Sequence, residues 1–416
     1  MKRLKILWLS HLIPYPPKGG VLQRSYNLIK ELAKYHDVYL LAFNQKDLIR
    51  PLFDNYEEGI KEADTELNKF CKEYNYLPIP CDETTNGKTK LALSSLFSPS
   101  SYTINWLKSS EMDLKIKEIT GRINFDIVHF DTISLAPYLN NFKNVKTVLD
   151  HHNIESSMLF TRTNKENNFI KKFYFFQEAI KLRYYEKKLC KKFDLNITCS
   201  DIDLERLLKI SPQINGEVIP NGVDIEFFYP KNVKKDKNSL IFAGGLSWYP
   251  NADAMSYFSR QIWQKLKSYN PSVVMNVVGK SPSKELVELA KIDSNFKVHG
   301  FVDDVRLYID KAQVYVCPIR DGGGTKLKIL DALAMGSAVV AHPKSVEGIE
   351  VVDGESVLLA ETPEQFCTQI QKLITNEELT NKLSENGRAL AVEKYSYLEI
   401  GIKLANEMEK LMGENK

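Results

Sequence analysis

Twice along this chain, short apolar runs alternate with helically spaced segments, and the runs stop at glycine-rich or polar clusters. That alternation constrains the fold more than any other feature, because strands separated by helices pair in parallel and are covered on both faces. The first series opens with residues 4–9, which end in Ser10, His11 and a Pro/Gly-rich loop at 14–20. Leu22, Tyr26, Ile29 and Leu32 then share one helix face, and residues 38–43 are the next run. Residues 125–130 and 145–149 are again apolar, and they stop at Asp131-Thr132 and Asp150-His151-His152-Asn153. Residues 157–192 read as one or two long helices, and 195–198 as a strand. The stretch 48–118 is less regular: charged helix-like pieces with a polar patch at 82–90.

Composition resets near residue 215. A short strand at 218–220 and the turn Asn221-Gly222-Val223-Asp224 precede a lysine-rich, linker-like stretch at 231–238. Strands at 240–243, 273–278, 296–299, 314–318 and 338–341 alternate with helices near 253–266, 284–292, 304–309 and 325–335. A chain of 416 residues is too long for one ordinary core and suits two α/β domains. The expected class is α/β: two Rossmann-like domains, residues 1–215 and 216–395, with the active site in a cleft between them. The helical tail at 396–416 is expected to cross back onto the first domain.

The bulk numbers exclude some functions. A net charge of +3 argues against a whole-protein nucleic-acid footprint. No run of 18 apolar residues is present, so no segment reads as a bilayer-crossing helix. Residues 1–17 superficially resemble a signal peptide but lack a small-residue cleavage site, and they read as a first strand. The six cysteines are scattered without a CxxC pair, which suits free thiols in a reducing cytoplasm, with Cys199 and Cys317 in the core.

The strongest local signal is residues 318–336. A buried strand ends at Pro318, and Gly322, Gly323 and Gly324 let backbone approach a ligand closely. A helix beginning near Thr325 would point free N–H groups at an anion, with Lys326 as a point charge and the Thr325 hydroxyl as a donor. Asp331 lies seven residues after Gly324, two turns on along the same face, where a carboxylate can accept both hydroxyls of a ribose.

This segment resembles the donor-nucleotide motif of family-4 glycosyltransferases with the GT-B fold, and the resemblance extends over nearly the whole chain. Asn221-Gly222-Val223-Asp224 followed by Phe228-Tyr229-Pro230 is similar to that family's domain junction. His299-Gly300-Phe301-Val302-Asp303-Asp304 resembles its nucleobase-binding strand end, and Tyr395-Ser396-Tyr397 the element before its crossover helix. Where the family pattern has a pair of glutamates, this chain has Gly323 and Asp331, and Asp321 could stand in for the first. The Arg and Lys common after the first strand of the second domain are absent from residues 243–251, which run through Gly245. The segment at 250–254 looks like a bacterial sugar-transferase subgroup.

The resemblance implies a donor site of Gly19, Gly20, Gly245, Phe301, Val302, Asp321, Gly323, Gly324, Thr325, Lys326 and Asp331. Phe301 and Val302 would read the base through backbone groups. It implies His152 as the catalytic histidine, with His151 as its local rival, and places His11 and Arg24 on the acceptor side. Arg24 could meet a phosphate or an acidic acceptor, or be a solvated helix residue. Paired histidines invite a metal, but no ligand-spaced acids accompany them, so no metal and no cofactor are expected.

The expected activity is retaining, metal-independent hexosyl transfer from a nucleotide sugar to a glycan, lipid-linked or other hydroxyl acceptor. The expected setting is bacterial surface polysaccharide or glycoconjugate synthesis, in the cytoplasm or at the inner face of the plasma membrane. Between Lys171 and Lys192, basic residues interleave with aromatics. Such a stretch can lie on an anionic membrane surface, or it can be a helix with aromatics packed inward and lysines in water.

Two alternatives share parts of this pattern. A nucleotide-sugar epimerase or NAD-dependent dehydrogenase also opens with strand, glycine loop and helix. Here, however, the first loop is not GxGxxG, and no ribose-binding acid ends the next strand. A non-catalytic, degenerate nucleotide-sugar-binding partner is left open by Gly323 and the missing Arg and Lys.

Overall fold

The computed structural model describes residues 3–53, 55–231, 233–322 and 324–413. The chain divides into two compact units, Met1–Pro220 with Ile400–Lys416, and Asn221–Glu399.

The first unit is built on seven parallel strands: β1 (Lys5–Ser10), β2 (Asp37–Asn44), β3 (Cys71–Pro78), β4 (Ile127–Phe130), β5 (Lys146–His151), β6 (Leu195–Thr198) and β7 (Gly216–Val218). Their order is β3-β2-β1-β4-β5-β6-β7. Ile6, Leu7, Trp8 and Leu9 of β1 are all fully buried, as expected of a central parallel strand covered on both faces. The helix Gly20–Tyr35 lays Leu22, Tyr26, Ile29 and Leu32 against that sheet. The sequence order reverses between β1 and β4, so the sheet's switch point lies between them.

The second unit has six strands: β8 (Asp236–Ala243), β9 (Val274–Val278), β10 (Phe296–Gly300), β11 (Ala312–Cys317), β12 (Ala338–Ala341) and β13 (Leu358–Leu359). Their order is β10-β9-β8-β11-β12-β13, with the reversal between β8 and β11. The helix Pro363–Thr375 is started by a reciprocal capping box between Thr362 and Gln365. The final helix, Tyr397–Gly413, begins in the second unit and contributes most of its length to the first.

The elements differ from expectation in several places, among them a strand expected at 218–220 that lies at Gly216–Val218 and the unexpected β13. β3 lies in a stretch read as irregular. The expected linker at 231–238 already contains the start of β8. The helix expected near 253–266 is two helices, Tyr249–Tyr257 and Trp263–Tyr269, joined by a π-helical turn at Phe258–Ile262. That wider turn keeps Phe258 and Trp263, five positions apart, both fully buried. The helix expected from Thr325 starts two residues later, at Leu327.

Candidate active site

At the switch point of the first sheet, four side chains converge on Asp131, the residue after β4. Ser10 Oγ lies 2.9 Å from Asp131 Oδ2 and Ser25 Oγ 3.0 Å. His11 Nδ1 is 3.2 Å from the same oxygen, and His152 Nε2 is 2.9 Å from Oδ1. Asp131 is fully buried. Burial acts to raise its pKa, but His152 and His11 beside it hold the carboxyl well below the usual range. An ionised carboxylate only accepts, so both histidines donate to it, and His152 is left with Nδ1 for a substrate. Burial acts to lower the His152 pKa, and the Asp131 charge and hydrogen bond overcome it, so the pKa is raised. The Glu155 carboxyl, one turn further on, is pushed up by burial against the charge of His152.

At the switch point of the second sheet, the loops after β8 and β11 meet. Gly244 follows β8 with φ 157°, and a Cβ there would collide with the Lys328 ammonium group. Gly322 has φ 98°, and a Cβ on it would stand 3.1 Å from the Pro250 ring. The backbone of Gly322 thus favours glycine, and a side chain at Gly244 would have to displace the Lys328 ammonium group. Lys326 is buried, and its Nζ donates to the carbonyls of Gly322 and Gly324 at 2.9 and 2.8 Å. Asp321 Oδ1 accepts from the Gly322 N–H at 2.6 Å. Lys328 Nζ donates to Asn251 Oδ1 at 2.6 Å and lies 4.4 Å from the centre of the Phe242 ring. Burial brings the Lys328 pKa down to about 8. Burial also pushes the Asp331 carboxyl up to about 7, with Lys328 opposing. Thr325 Oγ1 and Asp331 Oδ1 are buried without a hydrogen-bond partner.

The remaining candidates fall at strand ends of the same kind. Gly245 follows Gly244, with open space at its Cα. Phe301, just past β10, is 59% exposed and carries Lys280 Nζ 4.6 Å above its ring, and Val302 beside it packs partly on the core. Gly324 has φ 68°. Gly19, at φ 97°, precedes the helix Gly20–Tyr35, whose first residue is Gly20. Gly323 lies outside the described residues.

Four expectations are corrected. Arg24 is neither solvated nor available to an acceptor: its guanidinium is buried against Asp150 and the carbonyls of Ile219 and Pro220. Lys326 is not a side chain reaching out from a helix; it precedes the helix and ties its own glycine loop together. An acid does accompany His152: Asp131, from another strand, groups with it and with His11, their ligand-type atoms all within 4.8 Å. His151 instead points into the core, toward Asn196 Oδ1 at 3.1 Å. The aromatics between Lys171 and Lys192 are not all packed inward, for Phe173, Phe176 and Tyr184 are exposed. Sequence reasoning had also missed Lys328, although its place inside the motif was the available signal.

The family model described as "Glycosyltransferase Family 4" matches residues 18–227, half of the chain, and that described as "Glycosyl transferases group 1" matches residues 237–376. An uncharacterized 44.6 kDa protein in the cps region of Klebsiella pneumoniae is 23% identical over 94% of this chain and 96% of its own. An uncharacterized glycosyltransferase of Methanocaldococcus jannaschii is 24% identical over 95% of both chains. In fold, the chain is similar to sucrose-phosphate synthase from Thermosynechococcus elongatus (TM-score 0.67, 15% identity, 99% of this chain and 100% of the other). It is likewise similar to Anabaena HepE in complex with UDP (TM-score 0.66, 14% identity, 98% of this chain and 100% of the other). Among the described residues no helix is long and apolar enough to cross a membrane. Two parallel sheets with these matches make the chain a member of glycosyltransferase family 4, a glycosyltransferase of the GT-B type.

Proposed function

We propose that the protein transfers a sugar from a nucleoside-diphosphate sugar to a hydroxyl of a glycan or lipid-linked acceptor, retaining the anomeric configuration and using no metal ion. Two buried oxygens without partners, Thr325 Oγ1 and Asp331 Oδ1, carry this proposal. Buried polar atoms are normally satisfied, and a nucleotide whose ribose hydroxyls reach Asp331 would satisfy one of them. In this reading the loop held by Lys326 would approach the phosphates, and the backbone around Phe301 would meet the base edge. A uridine nucleotide is the first donor to test, because the structurally similar Anabaena HepE is held with UDP and with UDP-glucose.

In the reaction, the bond from the anomeric carbon to the phosphate oxygen breaks. The acceptor oxygen bonds that carbon on the same face, and the departing phosphate oxygen takes the acceptor's proton. His152, oriented by its hydrogen bond to Asp131, would hold a sugar hydroxyl beside the reacting carbon. Because His11 and His152 spend their facing N–H groups on Asp131, the cluster favours proton and hydrogen-bond work over metal ligation. The Klebsiella relative in a cps region supports a role in surface polysaccharide synthesis, at the inner face of the plasma membrane. The basic stretch between Lys171 and Lys192 supports peripheral contact with an anionic membrane there.

Calorimetric titration with UDP, GDP, ADP and CMP tests the donor. One nucleoside diphosphate should bind without added metal and in the presence of EDTA, and Asp331→Ala should weaken it by roughly tenfold or more, the loss expected when a hydrogen bond to a charged group is removed. Equal affinity in the variant would remove the proposed site. Proton NMR of the first-formed glycoside tests retention, and an inverted anomer would refute it.

A further inference from the structure

The helix Phe169–Leu189 carries an apolar stripe on its outer side. Phe169, Phe173, Phe176, Ile180 and Tyr184 recur at helical spacing and are all exposed, Phe169 by 81%, Phe173 by 60% and Tyr184 by 67%. They span sixteen residues, about 22 Å at the helical rise. The core side of the same helix is the opposite one, where Glu178, Ala179, Leu182 and Glu186 are buried. The stripe is therefore largely in water, although Phe176 also meets the Phe160 ring edge to face. Gln177 Nε2 and Lys181 Nζ donate to the carbonyls of Leu96 and Ser95, at 2.7 and 2.6 Å, which holds the end of the helix Gly87–Phe97 alongside. That end adds Phe97, 92% exposed, and Leu93.

Charge selects the occupant. Between Phe169 and Lys192 there are eight Lys and Arg residues and two acids, Glu178 and Glu186, both buried. The water-facing charge of this element is wholly positive. A symmetric contact with a second copy would set that basic face against itself, at a cost in like-charge repulsion. An anionic bilayer offers negative headgroups to the lysines and acyl chains to the stripe, and a helix too polar to span can lie in that interface.

We infer that this outer face is an in-plane membrane anchor: the stripe enters the acyl boundary of an anionic leaflet while the flanking lysines hold headgroups. This rests on the proposed membrane-side acceptor and deepens it, since adsorption by charge alone would leave the stripe in water. The glycosyltransferase is then held at the leaflet by the outer face of its first unit.

Flotation with phosphatidylcholine vesicles, with and without phosphatidylglycerol, tests the anchor. The full chain should float with phosphatidylglycerol vesicles at low salt and keep part of that binding at high salt. Phe169→Ser, Phe173→Ser and Tyr184→Ser together leave charge and core unchanged and should reduce binding by about tenfold or more, as expected when large apolar side chains no longer insert. A triple variant that binds like the wild type, complete release of the wild type by salt, or no vesicle binding would overturn the inference. So would a wild-type dimer that the triple variant converts to monomer. UDP titration of the same variants separates the two proposals, because vesicle binding needs no nucleotide: loss of one signal leaves the other readable.

Discussion

Arg24 and Asp150 form a buried bidentate pair, Nε and Nη2 each 3.0 Å from a carboxylate oxygen. The remaining guanidinium nitrogen, Nη1, donates to the carbonyls of Ile219 and Pro220 at 2.9 and 3.0 Å. One arginine thus fastens the helix after β1, the end of β5 and the last residues before the second unit. Removing one member of such a pair leaves an uncompensated buried charge, at a cost of roughly 3–5 kcal/mol. Arg24→Met should lower unfolding free energy by about that much in urea titrations, and adding Asp150→Leu should recover a large part. A single variant costing under about 1 kcal/mol would show that the pair is not structural.

His152 and Asp131 should govern rate rather than donor binding. His152→Ala should lower turnover by roughly hundredfold or more, the range for a positioned proton-transfer or charge-stabilising group, with calorimetric UDP affinity nearly unchanged. Asp131→Asn should follow the same pattern, because a neutral amide holds the His152 ring less firmly than the carboxylate does. Loss of UDP affinity with turnover intact would place His152 on the donor side instead.

His129 of β4 is fully buried and stacked on Trp8, ring centres 3.5 Å apart, and neither ring nitrogen has a partner. Burial takes its pKa down to about 4, against the pull of Asp150 and Asp131. Above about pH 6.5 the ring is neutral in both folded and unfolded chains, so the native state bears no protonation cost. As pH falls from there to about 4, the unfolded chain takes up a proton that the native state refuses, and stability is lost at up to about 1.4 kcal/mol per pH unit. His129→Phe, which keeps the stack, should flatten this part of the acid limb of the urea midpoint. An unchanged slope between pH 7 and 4.5, within the usual histidine titration range, would assign the loss to other groups.

Both sheets were legible because their central strands are short apolar runs, and the glycine loop was legible because three glycines between strand and helix have few other uses. β3 was not, because it is an edge strand: of Cys71–Pro78 only Cys71 and Leu77 are buried, so its sequence is nearly as polar as a loop. The Asp131 cluster was out of reach for a different reason. Its members come from the ends of three strands and one helix, and only pairing order brings them together. Arg24 misled because a lone arginine at helical spacing is usually solvated, and nothing local marks Asp150 as its partner. Lys326 was placed correctly in the chain, but its ammonium turns back to its own loop.

If Asp331 accepts from the donor's ribose as proposed, binding should have a pH dependence of fixed sign. Burial has raised its carboxyl to about 7 in the free protein, so near neutrality it is about half protonated. Ribose hydroxyls donate most strongly to the ionised form, so a bound nucleotide pulls the pKa down and proton release accompanies binding. Affinity for UDP-glucose, whose diphosphate has no ionisation in this range, should therefore rise with pH through about 7 and level off above it. Below that point it should fall by up to about tenfold per pH unit, the 1.4 kcal/mol that one unit of pKa represents. Titrations in buffers of different ionisation enthalpy should detect about half a proton released at pH 7. Asp331→Asn should bind more weakly at high pH and lose both the slope and the proton release. Affinity that is flat, or that rises as pH falls, would mean that Asp331 does not accept from the ribose and that its raised pKa serves the core alone.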